Sequence, residues 1–340
     1  MSAMNVKQNI PADRSWEKII RKYSNPVLRR SIWQIVNTFL PYAVLIFLMY
    51  LSLNLSYWIT LALAIPASGF LIRIFIIFHD CGHGSFFRKQ RANTILGSIC
   101  GFLSFTPYKS WHHHHKIHHA TAVNLDKRGI GDIWTLTREE YESASGRSRF
   151  IYRSFRNPFV MFTIGPLYLL LIQNRFTNKQ MTKENKQNVY LTNLVVLVMS
   201  LSMILLMGLK GFLLIQLPVL FLSHSIGIWL FLIQHNFEDI NWERNDEWDY
   251  KSAALEGSSF LKLPAVFQWF SGNIGYHHVH HLSPRIPNYN LERCHNENEI
   301  FSAVKPIYFF STFRFLKLHL WDEKNQKMIS FSALRQPVYA

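Results

Sequence analysis

Four long apolar runs, arranged as two pairs, dominate the hydropathy pattern of this chain. Residues 38–53 and 57–78 form the first pair, and residues 189–207 and 211–233 form the second. About 22 residues of helix, at 1.5 Å per residue, cover about 33 Å, which matches the roughly 30 Å hydrocarbon core of a bilayer. Because only three residues separate the members of each pair, the pattern predicts two transmembrane helical hairpins.

Two weaker apolar stretches, residues 94–107 and 158–173, are short and interrupted by glycine or proline. They are predicted to be re-entrant or interfacial helices, with a pair of short spans as the alternative. The predicted fold is therefore an all-α integral membrane protein with four main spans and a cytoplasmic helical cap, in one domain over residues 1–340. Its predicted segments are an N-terminal segment (1–37), the first hairpin (38–78), a polar segment with the interfacial helices (79–188), the second hairpin (189–233) and a C-terminal cap (234–340).

Basic residues are concentrated at one end of the predicted spans. Seven lysines and arginines precede residue 38, whereas the two turns between paired spans hold only Lys210. The positive-inside rule then predicts a multi-pass protein of the cell membrane with both termini in the cytoplasm. Arg73, inside the second apolar run, is predicted to snorkel towards the lipid headgroups, with a catalytic role as the alternative.

The composition of the chain agrees with a lipid environment. Hydrophobic residues make up 49% of the chain and charged residues 17%, below the roughly 25% of a soluble domain. The net charge of +15 fits an anionic membrane surface or an acidic protein partner, and beside these apolar runs no nucleic acid partner is expected. The three cysteines, Cys81, Cys100 and Cys294, form no CxxC pair, so neither a disulfide nor a thiolate metal site is indicated.

Sixteen histidines are many for a chain of this length, and half of them fall in three motifs. The first motif, HxxxH, holds His79 and His83; the second, HxxHH, holds His115, His118 and His119; the third, also HxxHH, holds His277, His280 and His281. Helical residues three or four apart lie on one face, so the imidazoles of each motif can converge. The predicted topology puts all three motifs on the cytoplasmic side, just beyond the apolar runs.

Eight clustered histidines exceed the four ligands of one tetrahedral ion, which indicates two metal ions. Imidazole binds zinc, copper, iron and nickel alike, so the ligand type does not name the metal. A site at the lipid boundary suits a substrate with a polar head and an apolar chain. Because an unactivated methylene offers neither an acidic proton nor an electrophilic carbon, a redox metal acting with dioxygen is needed there, which favours iron over zinc.

The three motifs and their surroundings resemble the membrane fatty acid desaturase family. HxxxH, HxxHH and HxxHH occur in this order around two predicted hairpins, and the resemblance covers roughly residues 30–295. Within that family, the chain resembles the bacterial acyl-lipid delta-5 desaturases. The segments that carry this resemblance are FHDCGHGSFF, HHATAVNLDKRGIGDIW, WLFLIQHNFED, EGSSFLKLP and GNIGYHHVHHLSP.

The resemblance implies a di-iron centre that uses dioxygen to place a cis double bond in a saturated acyl chain of a membrane phospholipid. Electrons are expected from a separate protein such as ferredoxin or flavodoxin. One iron would be bound by His79, His83, His119 and His281. The other would be bound by His115, His118, His277 and His280, together with His235, which follows the fourth apolar run.

Two other functions are compatible with these sequence features. A di-iron lipid hydroxylase or related oxygenase would use the same ligands. A histidine-rich metal transporter would need ligands near the bilayer midplane on broken helices, whereas these motifs lie beyond the predicted spans.

Side chains near the motifs have more ordinary predicted roles. His278 is predicted to face away from its neighbours, and His224 to form a hydrogen bond to a neighbouring helix. His113 is the second choice in the second motif, as a partner of a ligand. Five acidic residues are candidates to orient the ligand imidazoles, with capping or surface roles as the alternative: Asp80, Asp126, Asp132, Glu238 and Asp239.

Overall fold

The computed structural model describes residues 15–335 and is mostly helical. The predictions for the two chain ends partly concern residues 1–14 and 336–340, which lie outside the described residues. The α-helices are α1 (Ser15–Arg21), α2 (Leu28–Ser52), α3 (Tyr57–His83), α4 (Gln90–Leu103), α5 (Tyr108–Thr121), α6 (Arg138–Ser143), α7 (Gly146–Phe155), α8 (Gly165–Tyr168), α9 (Lys183–Gln234), α10 (Tyr250–Glu256), α11 (Ala265–Phe270), α12 (His277–Leu282), α13 (Asn288–Asn296) and α14 (Thr312–Phe315).

The first two apolar runs form an antiparallel pair of helices, α2 and α3. At the turn between them, the hydroxyls of Ser52 and Thr60 lie 2.7 Å apart and are buried. Helix α2 begins at Leu28, earlier than the predicted boundary at residue 38. The first turns of α2 contain several polar residues, so a search for continuous apolar runs does not detect them. Helix α3 continues past its apolar run to His83, so the first histidine motif forms its last turns.

The third and fourth apolar runs lie in α9, which bends back on itself at Gly208. This glycine has φ 74° and ψ 158°, a conformation that side chains with a Cβ disfavour. Gln216 Nε2 lies 3.5 Å from Met203 Sδ, whereas residues this far apart in a straight helix would be separated by about 20 Å. The two halves of α9 therefore run alongside each other.

Three helices, α2, α3 and α9, are long and apolar enough to cross a membrane. A fourth candidate is the bent pair of α7 and Val160–Gln173, whose axes differ by 63°. In the most apolar part of each helix, the buried share of the residues is 56% in α3, 22% in α2 and 17% in α9. Helix α3 is thus the central one, while α2 and α9 leave wide apolar faces exposed, as expected of a membrane protein.

The two weaker apolar stretches are both helical. Residues 94–107 contribute most of α4, and residues 158–173 form a helix with π turns at Val160–Ile164 and Leu169–Gln173 on either side of α8. The 3-10 helices of the described chain are Glu299–Phe301, Phe309–Ser311 and Ala333–Arg335.

Five short strands correct the prediction of an all-α fold. They are β1 (Leu136–Thr137), β2 (Phe260–Lys262), β3 (Pro306–Tyr308), β4 (Leu320–Asp322) and β5 (Lys327–Ile329). Strand β4 pairs in parallel with β1 and antiparallel with β5, and β2 pairs in parallel with β3. Strands of two or three residues are too short to show an alternating pattern, so nothing in the hydropathy profile marked them.

Arg73 lies inside the protein, so the prediction that it snorkels to the headgroups is wrong. Arg73 is only 7% exposed. The Arg73 Nε donates to Thr38 Oγ1 at 3.2 Å, and Nη1 donates to the Trp269 carbonyl. The guanidinium also lies 4.0 Å from the centre of the Trp269 ring. Helix α11 packs against α3 here and supplies the acceptor and the aromatic face that hold the side chain.

Two large hydrophobic cores border the histidine motifs. One lies among α2, α3, α4 and the second half of α9, and includes Leu71, Phe78 and Ile215. The other includes Leu230 and Trp242 and packs beneath the segment that follows α9. The motifs are therefore held between packed elements and not on a mobile surface loop.

Candidate metal centre

The structure brings all nine predicted ligands together from four parts of the chain. The first motif ends α3, the second lies on α5, the third forms α12, and His235 caps the end of α9. The nine imidazoles fall into two groups, within each of which the ligand atoms lie within 4.8 Å of one another. The first group is His79, His83, His115, His119 and His280, and the second group is His118, His235, His277 and His281.

This division differs from the ligand sets that the resemblance implies. His115 and His280 belong to the first group, and His281 belongs to the second. Helix periodicity allows such a division, because residues i+3 and i+4 of a helix are rotated about 100° apart. His115 and His119 on α5 therefore point to one group and His118 to the other. On α12, His277 and His281 share a group, and His280 joins the opposite one.

The spacing of the ring nitrogens fits metal ligation. In the first group, His119 Nε2 lies 3.1 Å from His115 Nε2 and 3.0 Å from His280 Nε2. In the second group, His235 Nε2 lies 3.1 Å from His118 Nε2 and 2.9 Å from His277 Nε2. With imidazole–metal bonds of about 2.1 Å, as for zinc, ligands at right angles lie about 3.0 Å apart. Each group thus has the spacing of nitrogens around one ion.

Two further nitrogens are oriented as ligand atoms would be. His83 Nε2 and His281 Nε2 are buried and have no hydrogen-bond partner among residues 15–335. A buried nitrogen without a partner is costly unless something else binds it. A metal ion in each group would satisfy both.

Burial keeps the imidazoles in the neutral form that metals bind. Outside the long helices α3 and α9, burial first, and then the neighbouring imidazoles, lower the pKa of six of them well below the usual histidine value. These six are His115, His119, His235, His277, His280 and His281. Since neutral imidazole is the ligand form, the site is preorganised for cations at physiological pH.

The outer ring nitrogens of three of the nine imidazoles have partners that orient the rings. His118 Nδ1 lies 2.5 Å from Asp132 Oδ1, His235 Nδ1 lies 3.0 Å from the Gly257 carbonyl, and His79 Nδ1 lies 3.3 Å from Asp80 Oδ1. Such partners fix the ring and aim the second nitrogen at the metal. Asp80 and Asp132 were candidates for this role from the sequence, whereas a backbone carbonyl such as that of Gly257 carries no sequence signal.

The other acidic candidates lie away from the imidazoles. Asp126 pairs with Arg244 at 2.6 Å and accepts from the Asn245 amide, and Glu238 and Asp239 are exposed. These three residues therefore have the alternative surface role.

The remaining histidines of interest also lie outside the two groups. His278 Nε2 contacts His295 Nδ1 at 2.9 Å, on the side of α12 predicted for it. His224 Nδ1 donates to the Leu220 carbonyl of its own helix at 2.9 Å, and a hydrogen bond to the Ser104 backbone at the end of α4 adds the predicted contact with a neighbouring helix. His113 is exposed, so it does not contact a ligand as its second-choice role required.

We expect Asp132→Asn to weaken metal binding by about 10- to 100-fold, the usual effect of losing a partner that orients a histidine ligand. The change removes the charge next to His118 and nearly preserves the shape. Metal affinity of the purified chain would be measured by competition with a chelator. Asp126→Asn is the matched control, because that carboxylate contacts Arg244 and no ligand. Equal affinities of the two variants would contradict the assigned role of Asp132.

Comparison with known proteins agrees with the paired histidine groups beside apolar helices. A family model named Fatty acid desaturase matches residues 55–312. A Bacillus subtilis (strain 168) protein named Fatty acid desaturase is 50% identical over 318 residues, 94% of this chain and 90% of that protein. A Synechocystis protein named sn-1 oleoyl-lipid 12-desaturase is 27% identical over 225 residues, 65% of this chain and 63% of that protein.

A second Synechocystis protein, named sn-1 acyl-lipid omega-3 desaturase (ferredoxin), is 26% identical over 254 residues, 69% of this chain and 64% of that protein. Together, the fold and the site define an oxidoreductase of membranes that contains a histidine-rich metal site. The chain belongs to the fatty acid desaturase family and is an enzyme that introduces double bonds into fatty acyl chains.

Proposed function

We propose that this enzyme desaturates the acyl chains of membrane phospholipids at a di-iron centre, and that it places a cis double bond at the delta-5 position. The observation that carries the proposal is the convergence of nine histidines, seven of them buried, into two groups of ring nitrogens. The delta-5 position rests on the sequence segments around the motifs. The relatives whose names give a position are 12- and omega-3 desaturases at 26 to 27% identity, too distant to carry a position over.

The nine histidines would hold the two irons in the groups described above. With dioxygen, the irons supply the oxidising power to remove two hydrogens from adjacent unactivated methylenes, which no amino-acid side chain can do. The reaction balances when the donor supplies two electrons and two protons are taken up, so that one dioxygen yields two waters and the acyl chain gains one double bond.

The protein's own residues hold and shield this site. Asp132, Asp80 and the Gly257 carbonyl fix three of the rings. The buried guanidinium of Arg156 donates to Asn236 Oδ1 at 2.8 Å and to the Leu318 carbonyl at 2.8 Å. Since Asn236 follows His235 directly, these bonds hold the end of α9 in place beside the second group.

The membrane topology is part of the proposal. We place four main spans in α2, α3 and the two halves of α9, with both termini and the metal centre in the cytoplasm. The support is the apolar length of these helices and the excess of basic residues before residue 38. A cytoplasmic site would be open to a separate electron donor such as ferredoxin or flavodoxin, and one relative carries ferredoxin in its name.

Lipid analysis tests the proposal directly. We expect a host that expresses this chain and is fed isotope-labelled palmitate to accumulate labelled phospholipid acyl chains with two fewer hydrogens, and cleavage at the double bond to locate it at carbon five. The purified chain should contain two irons. Labelled chains that gain one oxygen would identify a hydroxylase, and unchanged lipids with the protein inserted would contradict the proposal.

A further inference from the structure

A cavity of about 370 Å³ lies among α2, α3, α11 and α13 and is lined by both charged and aromatic side chains. One wall is a single face of α2, where Arg30, Trp33, Gln34 and Asn37 recur at helical spacing. The opposite wall is formed by Arg73 from α3, Trp269 from α11 and Tyr289 from α13. The cavity therefore joins the beginning of α2 to the half of α3 that leads to the histidines.

The two arginines of this cavity lack acidic partners. Arg73 contacts Thr38, the Trp269 carbonyl and the Trp269 ring, all of them neutral. Arg30 donates to Asn290 Oδ1 at 3.1 Å and lies 5.8 Å from the centre of the Tyr289 ring. Within residues 15–335, neither forms a salt bridge with a carboxylate. A guanidinium has five donors, so both can still bind an anion.

The position of the cavity indicates what kind of anion it takes. Trp33 is 64% exposed, and the neighbouring apolar side chains Ile32 and Val36 on α2 are also exposed. Tryptophan and tyrosine are typical of the membrane interface, where an apolar ring and a polar edge meet different surroundings. Arginine binds phosphate through two parallel hydrogen bonds. This combination suits a phosphate that carries an apolar chain.

A short polar pathway connects the cavity to a ligand imidazole. Gln34 Nε2 donates to Asn288 Oδ1 at 3.1 Å, Asn288 Nδ2 donates to Asp80 Oδ2 at 2.8 Å, and Asp80 Oδ1 lies 3.3 Å from His79 Nδ1. Arg73 and Asp80 share a face of α3 two turns apart, a distance of about 10 Å. A phosphate held in the cavity would therefore leave the first part of its acyl chain near the irons.

We infer that this cavity binds the phosphate of the phospholipid substrate, through Arg30 and Arg73, and so sets how far along the acyl chain the double bond forms. The inference rests on the proposed function, because it names the site that holds the substrate's headgroup. A headgroup this close to the metal centre fits a double bond near the carboxyl end of the chain and not near its middle.

Equilibrium binding of radiolabelled dipalmitoyl phosphatidylglycerol to the purified full chain, in neutral detergent micelles, tests the inference. We choose Arg30→Gln because Arg30 is exposed, whereas replacing the buried Arg73 would also disturb its packing on Trp269. We expect the Kd of Arg30→Gln to rise about tenfold, as for loss of a charge-assisted hydrogen bond. The matched control is Arg29→Gln, an exposed neighbour that removes the same charge outside the cavity lining, and its Kd should not change.

Three other results would overturn the inference. The first is an equal rise in Kd for both variants. The second is that the native chain binds dipalmitoylglycerol, which lacks the phosphate, as tightly as it binds dipalmitoyl phosphatidylglycerol. The third is full displacement of the lipid by millimolar inorganic phosphate, which would define a site for free anion. Iron content and lipid products are measured on the same preparations. If the proposed function is wrong, the native chain will lack iron or yield no desaturated product. If only this inference is wrong, the native chain will contain iron and yield the product.

Discussion

Replacing either His118 or His280 with alanine should abolish the desaturated product, with a loss of more than about 100-fold, since ligand removal exceeds the usual effect of losing an outer partner. The two residues lie one in each group of ring nitrogens. His118 is also held by Asp132, and His280 Nε2 lies 3.0 Å from His119 Nε2. The measurement is mass spectrometry of lipids from the expressing host, with membrane insertion verified for each variant.

The structure offers a matched control on the same helix. His113→Ala changes a histidine of α5 that is exposed and outside both groups, so product should remain near the native level. Retained product in the His118 or His280 variant would contradict the ligand assignment. Loss of product in the His113 variant as well would indicate that α5 itself had been disturbed.

A single methyl group at Gly275 should strongly destabilise the region that holds the third motif. A Cβ at this position would lie 2.2 Å from the Leu261 carbonyl oxygen and 2.9 Å from Gln268 Oε1. The Leu261 oxygen cannot move away easily, because Leu261 lies in β2, pairs with Ile307 of β3 and donates its own amide to the Gly275 carbonyl at 2.7 Å. We expect Gly275→Ala to cost about 3 kcal/mol or more, at the upper end for overpacking.

Thermal unfolding in detergent measures this cost, and metal content measures its consequence for the site. Gly227→Ala is the control, because a Cβ there would meet nothing within 4 Å, and its thermal midpoint should stay close to the native one. An unchanged midpoint and full metal content in Gly275→Ala would contradict the close approach of these two backbone segments.

Much of the site could be predicted because its chemistry is local in the sequence. The spacing of His115, His118 and His119 is visible without a structure, and the apolar runs identify the helices that bring the motifs to one end. The division of these histidines between two groups was not predictable in the same way. It depends on how α5 and α12 are rotated towards each other, and α12 has only 6 residues.

The features that sequence reasoning missed depend on long-range contacts. The role of Gly257 is carried by a backbone carbonyl, which every residue possesses. The surroundings of Arg73 are set by Trp269, which lies 196 residues further along the chain. Hydropathy shows only that a charged residue interrupts an apolar run. Snorkelling, the usual explanation for such a residue, assumes that lipid surrounds it, whereas in the structure α11 packs there.

The two groups of imidazoles share α5 and α12, and this has a consequence for biosynthesis. Four of the five histidines of the first group precede α12 in the sequence and are synthesised long before it. Even so, neither group is complete until α12 has left the ribosome and docked against α5. Ions bound in these groups would act as cross-links between distant parts of the polypeptide, so cofactor insertion and the final folding step are thermodynamically coupled. With iron as the proposed metal, cells short of iron would accumulate a loosely closed, protease-sensitive form of the protein, so iron supply would govern the protein's abundance as well as its catalytic rate.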